Sequence, residues 1–292
     1  MTLPNFLMCG AGKSGTTTLW NVVRRHPDVF MPVPKEQAFF TSAEYDRSTY
    51  HRGIEWYESL FATAGDRKAI GEASGAYLFD PASPALIRRH VPAARLIFVF
   101  RDPVERMYSH YWQERKRGRP LPPFDDVVTR RVPPFERLMR TSRYATNLAR
   151  HLAVFPRQQM LCLRYEELRD DPRGLLGRVC GFLDIDVGRL GDVGGRRYNP
   201  AGRPRSDTLE RVLRSRRMLT AARALAPQWV LPVGRRLLAR TKALNRTTVA
   251  PPAMSREVRI RLLGELREEI ERLESLLGWD LGPWKQIEQG GR

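Results

Sequence analysis

Short apolar runs that stop abruptly at glycine or at charged residues recur along the chain. Each is followed by a segment whose apolar positions return every three or four residues. Asn5 to Cys9 is the first run; Gly10 to Gly15 breaks it, and Thr16 to Val23 resumes with helical spacing. Strand, glycine loop and helix are predicted in that order. Arg95 to Phe100 (RLIFVF) is the second run, ending at Arg101-Asp102-Pro103 before the amphipathic VERMYSHYWQERKR. Gln159 to Leu163 (QMLCL) is the third, passing through Arg164-Tyr165-Glu166-Glu167-Leu168 into a helix around Pro172 to Leu183. Such βα alternation predicts an α/β fold with a parallel, doubly wound sheet flanked by helices. Ligands of open parallel sheets bind beyond the carboxyl ends of the strands, so the first two strand-to-helix junctions are expected to face one site.

Between and after these units the pattern changes. Segments Arg115 to Pro134 and Asp192 to Pro204 are rich in Arg, Gly and Pro and read as loops, the second long enough to be a flap. From about Ser206 to Asn245 arginines interleave with Leu and Val. This stretch is expected to form a basic helical insertion, spanning roughly 204–250, with a solvated face or a face for peripheral membrane contact. Ser255 to Leu277 is predicted as a last helix, with a serine cap at its start and Gly278 at its stop. A single domain over 1–292 with a helical C-terminal extension is the expected organisation.

Composition narrows the partners. The net charge of +18 is carried almost entirely by Arg, since Lys occurs only at positions 13, 35, 68, 116, 242 and 285. An Arg-rich surface suits forked recognition of phosphate or sulfate, although a basic compositional bias alone would also produce it. Nucleic acid is not an expected partner, because the basic stretch has no recognition motif or aromatic interleaving. Cys9, Cys162 and Cys180 sit in apolar contexts without disulfide or zinc spacing, and His26, His51, His90 and His151 lack metal-ligand spacing. The N-terminus reads without a leader, and no long unbroken apolar run occurs. A soluble, cytoplasmic protein is expected.

The first loop, Gly10-Ala11-Gly12-Lys13-Ser14-Gly15-Thr16-Thr17, turns backbone amides toward an anion at a helix N-terminus. It matches G-x-G-x-x-G, with Glu36 near the place of a ribose-binding acid, so a nicotinamide-dependent oxidoreductase is one reading. It contains Gly-Lys-Ser, so a P-loop kinase is another, but Leu7 stands where a Walker A loop requires glycine.

Lys13-Ser14-Gly15-Thr16-Thr17 with Leu19 resembles the 5′-phosphosulfate loop of the sulfotransferases that use 3′-phosphoadenosine 5′-phosphosulfate (PAPS). Arg101-Asp102-Pro103-Val104-Glu105-Arg106-Met107-Tyr108-Ser109-His110-Tyr111 resembles the 3′-phosphate motif of the same family, whose binding arginine and serine map to Arg101 and Ser109. Lys35-Glu36-Gln37-Ala38-Phe39-Phe40 and Gly71-Glu72-Ala73-Ser74 resemble segments of the carbohydrate/heparan-type branch, the latter a strand there. Tyr165-Glu166-Glu167-Leu168, Phe182-Leu183, Leu273 to Gly278 and Trp284 are similar to its later landmarks. The likeness covers nearly the whole chain and suggests a bacterial member. Gly75 departs from it, since many relatives have proline there. The segment Arg196 to Arg203 resembles the nucleotide-covering loop loosely, with Arg197, Gly202 and Arg203 as its candidate contacts.

The resemblance implies a P-loop-kinase-like sulfotransferase fold and in-line sulfuryl transfer from PAPS, leaving 3′-phosphoadenosine 5′-phosphate and using no metal. Lys13 would steady the leaving phosphate, with Ser14, Gly15, Thr16 and Thr17 completing the cradle. Glu36 is the expected base and His110 its competitor; Glu72 would orient the acceptor or Lys13. The expected acceptor is a small molecule, carbohydrate, glycolipid or natural product presenting a hydroxyl or amine.

Overall fold

A computed structural model describes residues 2–191 and 251–287. Five parallel strands form the sheet: β1 (Phe6–Gly10), β2 (Val29–Phe30), β3 (Ala69–Ala73), β4 (Arg95–Phe100) and β5 (Met160–Arg164), in spatial order β2-β3-β1-β4-β5. β1 is central, pairing Phe6 with Gly71 on one side and with Arg95 on the other. Its run is unbroken because both faces are covered, and its residues alternate between two cores. Leu7 and Cys9 join the core on one face, while Phe6 and Met8 join the core on the other. β4 divides in the same way, with Leu96, Phe98 and Phe100 on the first face and Ile97 and Val99 on the second.

The second face is covered by α1 (Thr16–Val23) and, from the far edge, by apolar residues of the later helix Pro172–Leu183. The first face is larger. It carries α2 (Ile54–Ser59), α3 (Ser83–His90), α4 (Pro103–Lys116), α5 (Phe124–Thr129), α6 (Phe135–Arg140) and α7 (Tyr144–Leu152). After β5 come α8 (Tyr165–Asp170) and α9, the helix Pro172–Leu183 already placed. The described chain closes with α10 (Arg256–Leu277), which packs on α7, α4 and α5. Each fully buried large apolar side chain contributes roughly 1.5–3 kcal/mol, so the two cores hold the strand ends rigidly beneath the loops they carry.

The predicted βα units and the parallel sheet are present, and β3 occupies the Gly71 to Ser74 segment indicated by the resemblance. α10 has the expected ends: Ser255 Oγ accepts from Val258 N at 3.4 Å and Gly278 caps in the left-handed region at φ 65°. Arg115 to Pro134 is not wholly a loop. α4 runs on to Lys116, and Phe124, Val127 and Val128 bury one face of α5 beneath Tyr108 and Tyr111. The three cysteines are buried free thiols. Among the described residues no helix is long and apolar enough to cross a membrane. The expected flap and its candidate contacts Arg197, Gly202 and Arg203, and the expected basic insertion over 206–245, lie outside the described residues.

Candidate active site

The loop after β1 is pinned at both ends. Ala11 N donates to Val99 O on β4 (2.8 Å), and Ser14 N closes a turn onto Ala11 O (3.2 Å). Gly15 stands at the N-cap of α1 in the left-handed region (φ 84°) and offers no side-chain cap, so the first amides of the helix open toward the loop. A Cβ on Gly15 would come within 2.8 Å of Leu168 and 2.9 Å of Tyr165, so only glycine lets the loop seat against α8. Lys13 is itself held at φ 77°. The Ser14 hydroxyl is fully buried and faces the Tyr144 hydroxyl, each lacking any partner beyond the other, so the floor of the loop is polar.

Cations gather over this loop. Burial first, then Arg101, Lys116, Arg117 and Arg106, lower the Lys13 ammonium to a pKa of about 8. Such convergence of like charge is unfavourable in the free protein and is relieved by a polyanion.

Arg101 directly follows β4, next to β1 in the sheet, so the second junction lies beside the first. Asp102 caps α4, accepting from Val104 N at 2.8 Å and Glu105 N at 3.1 Å. Arg101 lies over the Tyr165 ring at 4.9 Å and pairs with Glu105 at 3.3 Å, which leaves its guanidinium partly exposed. Ser109 is one helical turn beyond Glu105 on the same face of α4.

The third wall comes from the other neighbour of β1. Glu36 N donates to Ala73 O at the end of β3 (3.0 Å), with Glu36 in the left-handed region at φ 72°. Lys35 Nζ is 3.0 Å from Glu36 Oε1 and donates to Thr16 Oγ1 at 3.4 Å, tying the carboxylate to the first turn of α1. Burial alone would raise the Glu36 carboxyl; Lys35 outweighs it, with help from Arg47 and Arg117, and holds it below the usual range. A Cβ on Gly75 would stand 3.3 Å from Gly12 Cα and 3.9 Å from Glu36 Oε1. The glycine that departs from the family pattern is therefore where the third wall touches the first loop. Loop, arginine and the Glu36 segment thus follow three adjacent strands at one end of the sheet, cations outnumbering acids around Lys13, an arrangement suited to an anionic group.

The sequence profile of the family described as "Sulfotransferase domain" matches residues 3–194. The chain belongs to that family. It is 34% identical over 188 residues to human heparan sulfate glucosamine 3-O-sulfotransferase 3B1, covering 63% of this chain and 46% of that one. It is 31% identical over 195 residues to mouse bifunctional heparan sulfate N-deacetylase/N-sulfotransferase 4, covering 63% of this chain and 22% of that one. The matched region thus spans less than half the length of either relative. A sulfotransferase from Alicyclobacillus acidocaldarius shares the fold, with TM-score 0.72 at 22% identity over 98% of this chain and all of that one.

Two acidic and basic candidates of this sulfotransferase domain lie apart from the cleft's open face. Glu72 is buried and accepts from the hydroxyls of Tyr77, Ser74 (2.9 Å) and Tyr57 (3.3 Å). Those hydroxyls in turn accept from backbone: Ser74 Oγ from Ala38 N (2.9 Å), Tyr77 Oη from Phe39 N (3.1 Å) and Phe40 N (3.3 Å). Glu72 is thus the anchor of the segment that presents Glu36, not a partner of Lys13. Burial raises its carboxyl to a pKa of about 7 despite three hydroxyl donors. His110 Nδ1 is 3.3 Å from Arg106 Nη1, which can only donate, so the proton lies on Nε2, directed at Glu114 Oε1 4.0 Å away. Burial and then Arg106 push the pKa of this imidazole well below its ordinary value, and its Nδ1 is engaged by Arg106.

Arg47, Arg106, Lys116 and Arg117 were not among the residues singled out for the site. The run Arg115-Lys116-Arg117-Gly118-Arg119 was the available signal for two of them. Buried Glu114 ties that run down, pairing with Arg117 and Arg119 at 2.8 Å and with Arg137 of α6 at 3.1 Å.

Proposed function

We propose that this protein transfers a sulfuryl group from PAPS to a hydroxyl or amine of a carbohydrate, glycolipid or natural-product acceptor. The convergence of the Lys13 loop, Arg101 and Glu36 around one cationic cleft carries this reading. The uncapped start of α1 and the repelling cations around Lys13 fit a donor that is anionic at several points. When bound, PAPS supplies an activated sulfuryl group on a phosphate leaving group.

Lys13, Ser14, Gly15, Thr16 and Thr17 would hold the 5′ end through amides, hydroxyls and one ammonium. Arg101 and Ser109 would hold the 3′-phosphate, the first by charge and the second by its hydroxyl. Repulsion among Lys13 and four neighbouring cations is relieved when negative charge develops beside them, and each well-placed donor to that charge is worth about 3–4 kcal/mol. The reading needs no metal, because these cations and the helix start already supply compensating charge.

Glu36 would accept the proton of the attacking hydroxyl or amine, a contribution of roughly 10²–10⁴-fold. Lys35 keeps that carboxylate ionised and fixes it beside Thr16. The likeness to heparan sulfate sulfotransferases supports a carbohydrate acceptor, and Arg47 beside Glu36 suits one bearing negative charge. Buried free thiols support action in a reducing compartment such as the cytoplasm. The test is transfer of labelled sulfate from PAPS to a panel of carbohydrate, glycolipid and phenolic acceptors by wild type and Glu36→Gln. Labelled product with wild type alone supports the reading; equal product from both refutes Glu36 as base, and none on any acceptor refutes the acceptor class.

A further inference from the structure

We infer that Arg259, on the C-terminal helix beyond the region matched by the family profile, is a positioning residue for Arg101 and thereby sets discrimination for the 3′-phosphate of the donor. This rests on the reading of Arg101 as the 3′-phosphate ligand.

Arg259 is nearly inaccessible and its guanidinium spans three places. Nε donates to Gln286 O at 3.0 Å, Nη2 to Asp102 Oδ2 at 2.8 Å, and Nη1 faces Glu105 Oε1 at 3.6 Å without a hydrogen bond of its own. Asp102 is also buried, and its other oxygen is committed to the amides of Val104 and Glu105. The carboxylate that caps α4 and so aims Arg101 is therefore paired across 157 residues of chain to α10.

Glu105 stands between two arginines. Oε2 is 3.3 Å from Arg101 Nη2, and Oε1 faces Arg259. With Arg259 present the carboxylate is shared, and Arg101 keeps charge and donors for an outside anion. With Arg259 removed, Glu105 turns to Arg101, and Asp102 loses the ion pair that ties the cap of α4 to α10 while keeping the amides of Val104 and Glu105. Both changes weaken Arg101 as an anion ligand: the first neutralises it in place, and the second loosens the turn that holds it. The Lys13 loop keeps its own backbone anchor, Ala11 N on Val99 O of β4, and pairing Arg101 more tightly with Glu105 only eases the repulsion Lys13 feels from it, so the amides that would hold the 5′ end stay in place.

The experiment measures affinity of the full chain for 3′-phosphoadenosine 5′-phosphate and for adenosine 5′-monophosphate, which lacks the 3′-phosphate, by calorimetry. Arg259→Gln is expected to weaken the bisphosphate by about tenfold or more while the monophosphate stays within about twofold. Adding Glu105→Gln in the same chain is expected to restore much of the loss, since a neutral amide no longer captures Arg101. Equal weakening of both nucleotides, no weakening, or no restoration would overturn the proposal. Glu105→Gln alone, which leaves Asp102 paired, is expected to keep or raise the ratio, and a fall in it would overturn the proposal even if Arg259→Gln does not fold. Arg101→Ala separates the two levels: if it leaves the ratio unchanged, the donor-site reading itself fails, whereas a collapsed ratio there with an unaltered one in Arg259→Gln refutes only the role of Arg259.

Discussion

Lys35 Nζ lies 3.0 Å from Glu36 Oε1 while reaching Thr16 Oγ1 at 3.4 Å, so one ammonium connects the acid at the cleft edge to the helix start at its floor. Lys35 is mostly buried and Glu36 is about two-fifths exposed, with side-chain accessibilities of 10% and 39%. The carboxylate is thus held by a fixed cation yet reachable by an acceptor. Glu36→Gln removes the proposed base and keeps the side-chain shape. Turnover is expected to fall by about 10²–10⁴-fold, with affinity for 3′-phosphoadenosine 5′-phosphate unchanged by calorimetry.

Lys35→Met removes the charge that offsets burial at Glu36, so the Glu36 carboxyl rises. The base is then protonated over more of the acid range. The acid limb of the kcat/KM profile is expected to move to higher pH, while Lys35→Arg keeps it near the wild-type position. An unmoved limb in Lys35→Met would show that Lys35 does not govern the ionisation.

At Lys13 function and stability oppose each other. Its pKa falls from 10.5 to about 8 on folding, so the folded chain holds the ammonium less readily than the unfolded chain. The sign follows: below about 8 the charged lysine costs stability, and that cost disappears as pH rises toward 10.5. Lys13→Met is expected to raise the Tm of the ligand-free protein at pH 7 by about 2–6 °C and to abolish turnover. In wild type, donor affinity is expected to decline as pH rises through about 8.

Glu72 has the opposite sign. Its folded pKa of about 7 exceeds the ordinary 4.5, so its contribution to stability is complete below 4.5 and is lost as pH rises through about 7. Urea denaturation from pH 4.5 to pH 8 is expected to show a loss of about 2–3 kcal/mol in wild type, absent in Glu72→Gln. Because Glu72 anchors Ser74 and Tyr77, which hold the amides of residues 38–40, Glu72→Ala is expected to lower kcat more than it weakens donor binding.

Gly15→Ala places a methyl group where Leu168 and Tyr165 already stand, at a left-handed backbone position. A destabilisation of about 1–3 kcal/mol is expected, together with weaker binding of both adenosine nucleotides, measured by denaturation and calorimetry.

Much of this arrangement was legible because it is local. Gly10 to Gly15 and Arg101 to Pro103 follow strands whose apolar runs are unbroken, and such strands in a parallel sheet bring their loops together without further information. Glu36 was legible only through family likeness, since it sits on irregular chain and is oriented by β3. What escaped depends on distant packing. Arg259 meets Asp102 across 157 residues of chain, and Glu114 recruits Arg137 from a helix whose short pattern gives little signal. The contact between Arg106 and His110 Nδ1 was equally invisible in the sequence, because it depends on how α4 is buried. α5 is not legible in the sequence, because prolines and arginines flank a single apolar turn whose burial only the tertiary fold supplies.

The central claim is that the cleft binds the PAPS-derived nucleotide through Lys13 and Arg101. The most direct measurement is thermal stability with 3′-phosphoadenosine 5′-phosphate, adenosine 5′-monophosphate, ATP and NAD, on wild type, Lys13→Ala and Arg101→Ala. The prediction is selective stabilisation of wild type by the bisphosphate, reduced in both variants. No shift with the bisphosphate but a clear shift with ATP or NAD would contradict the account.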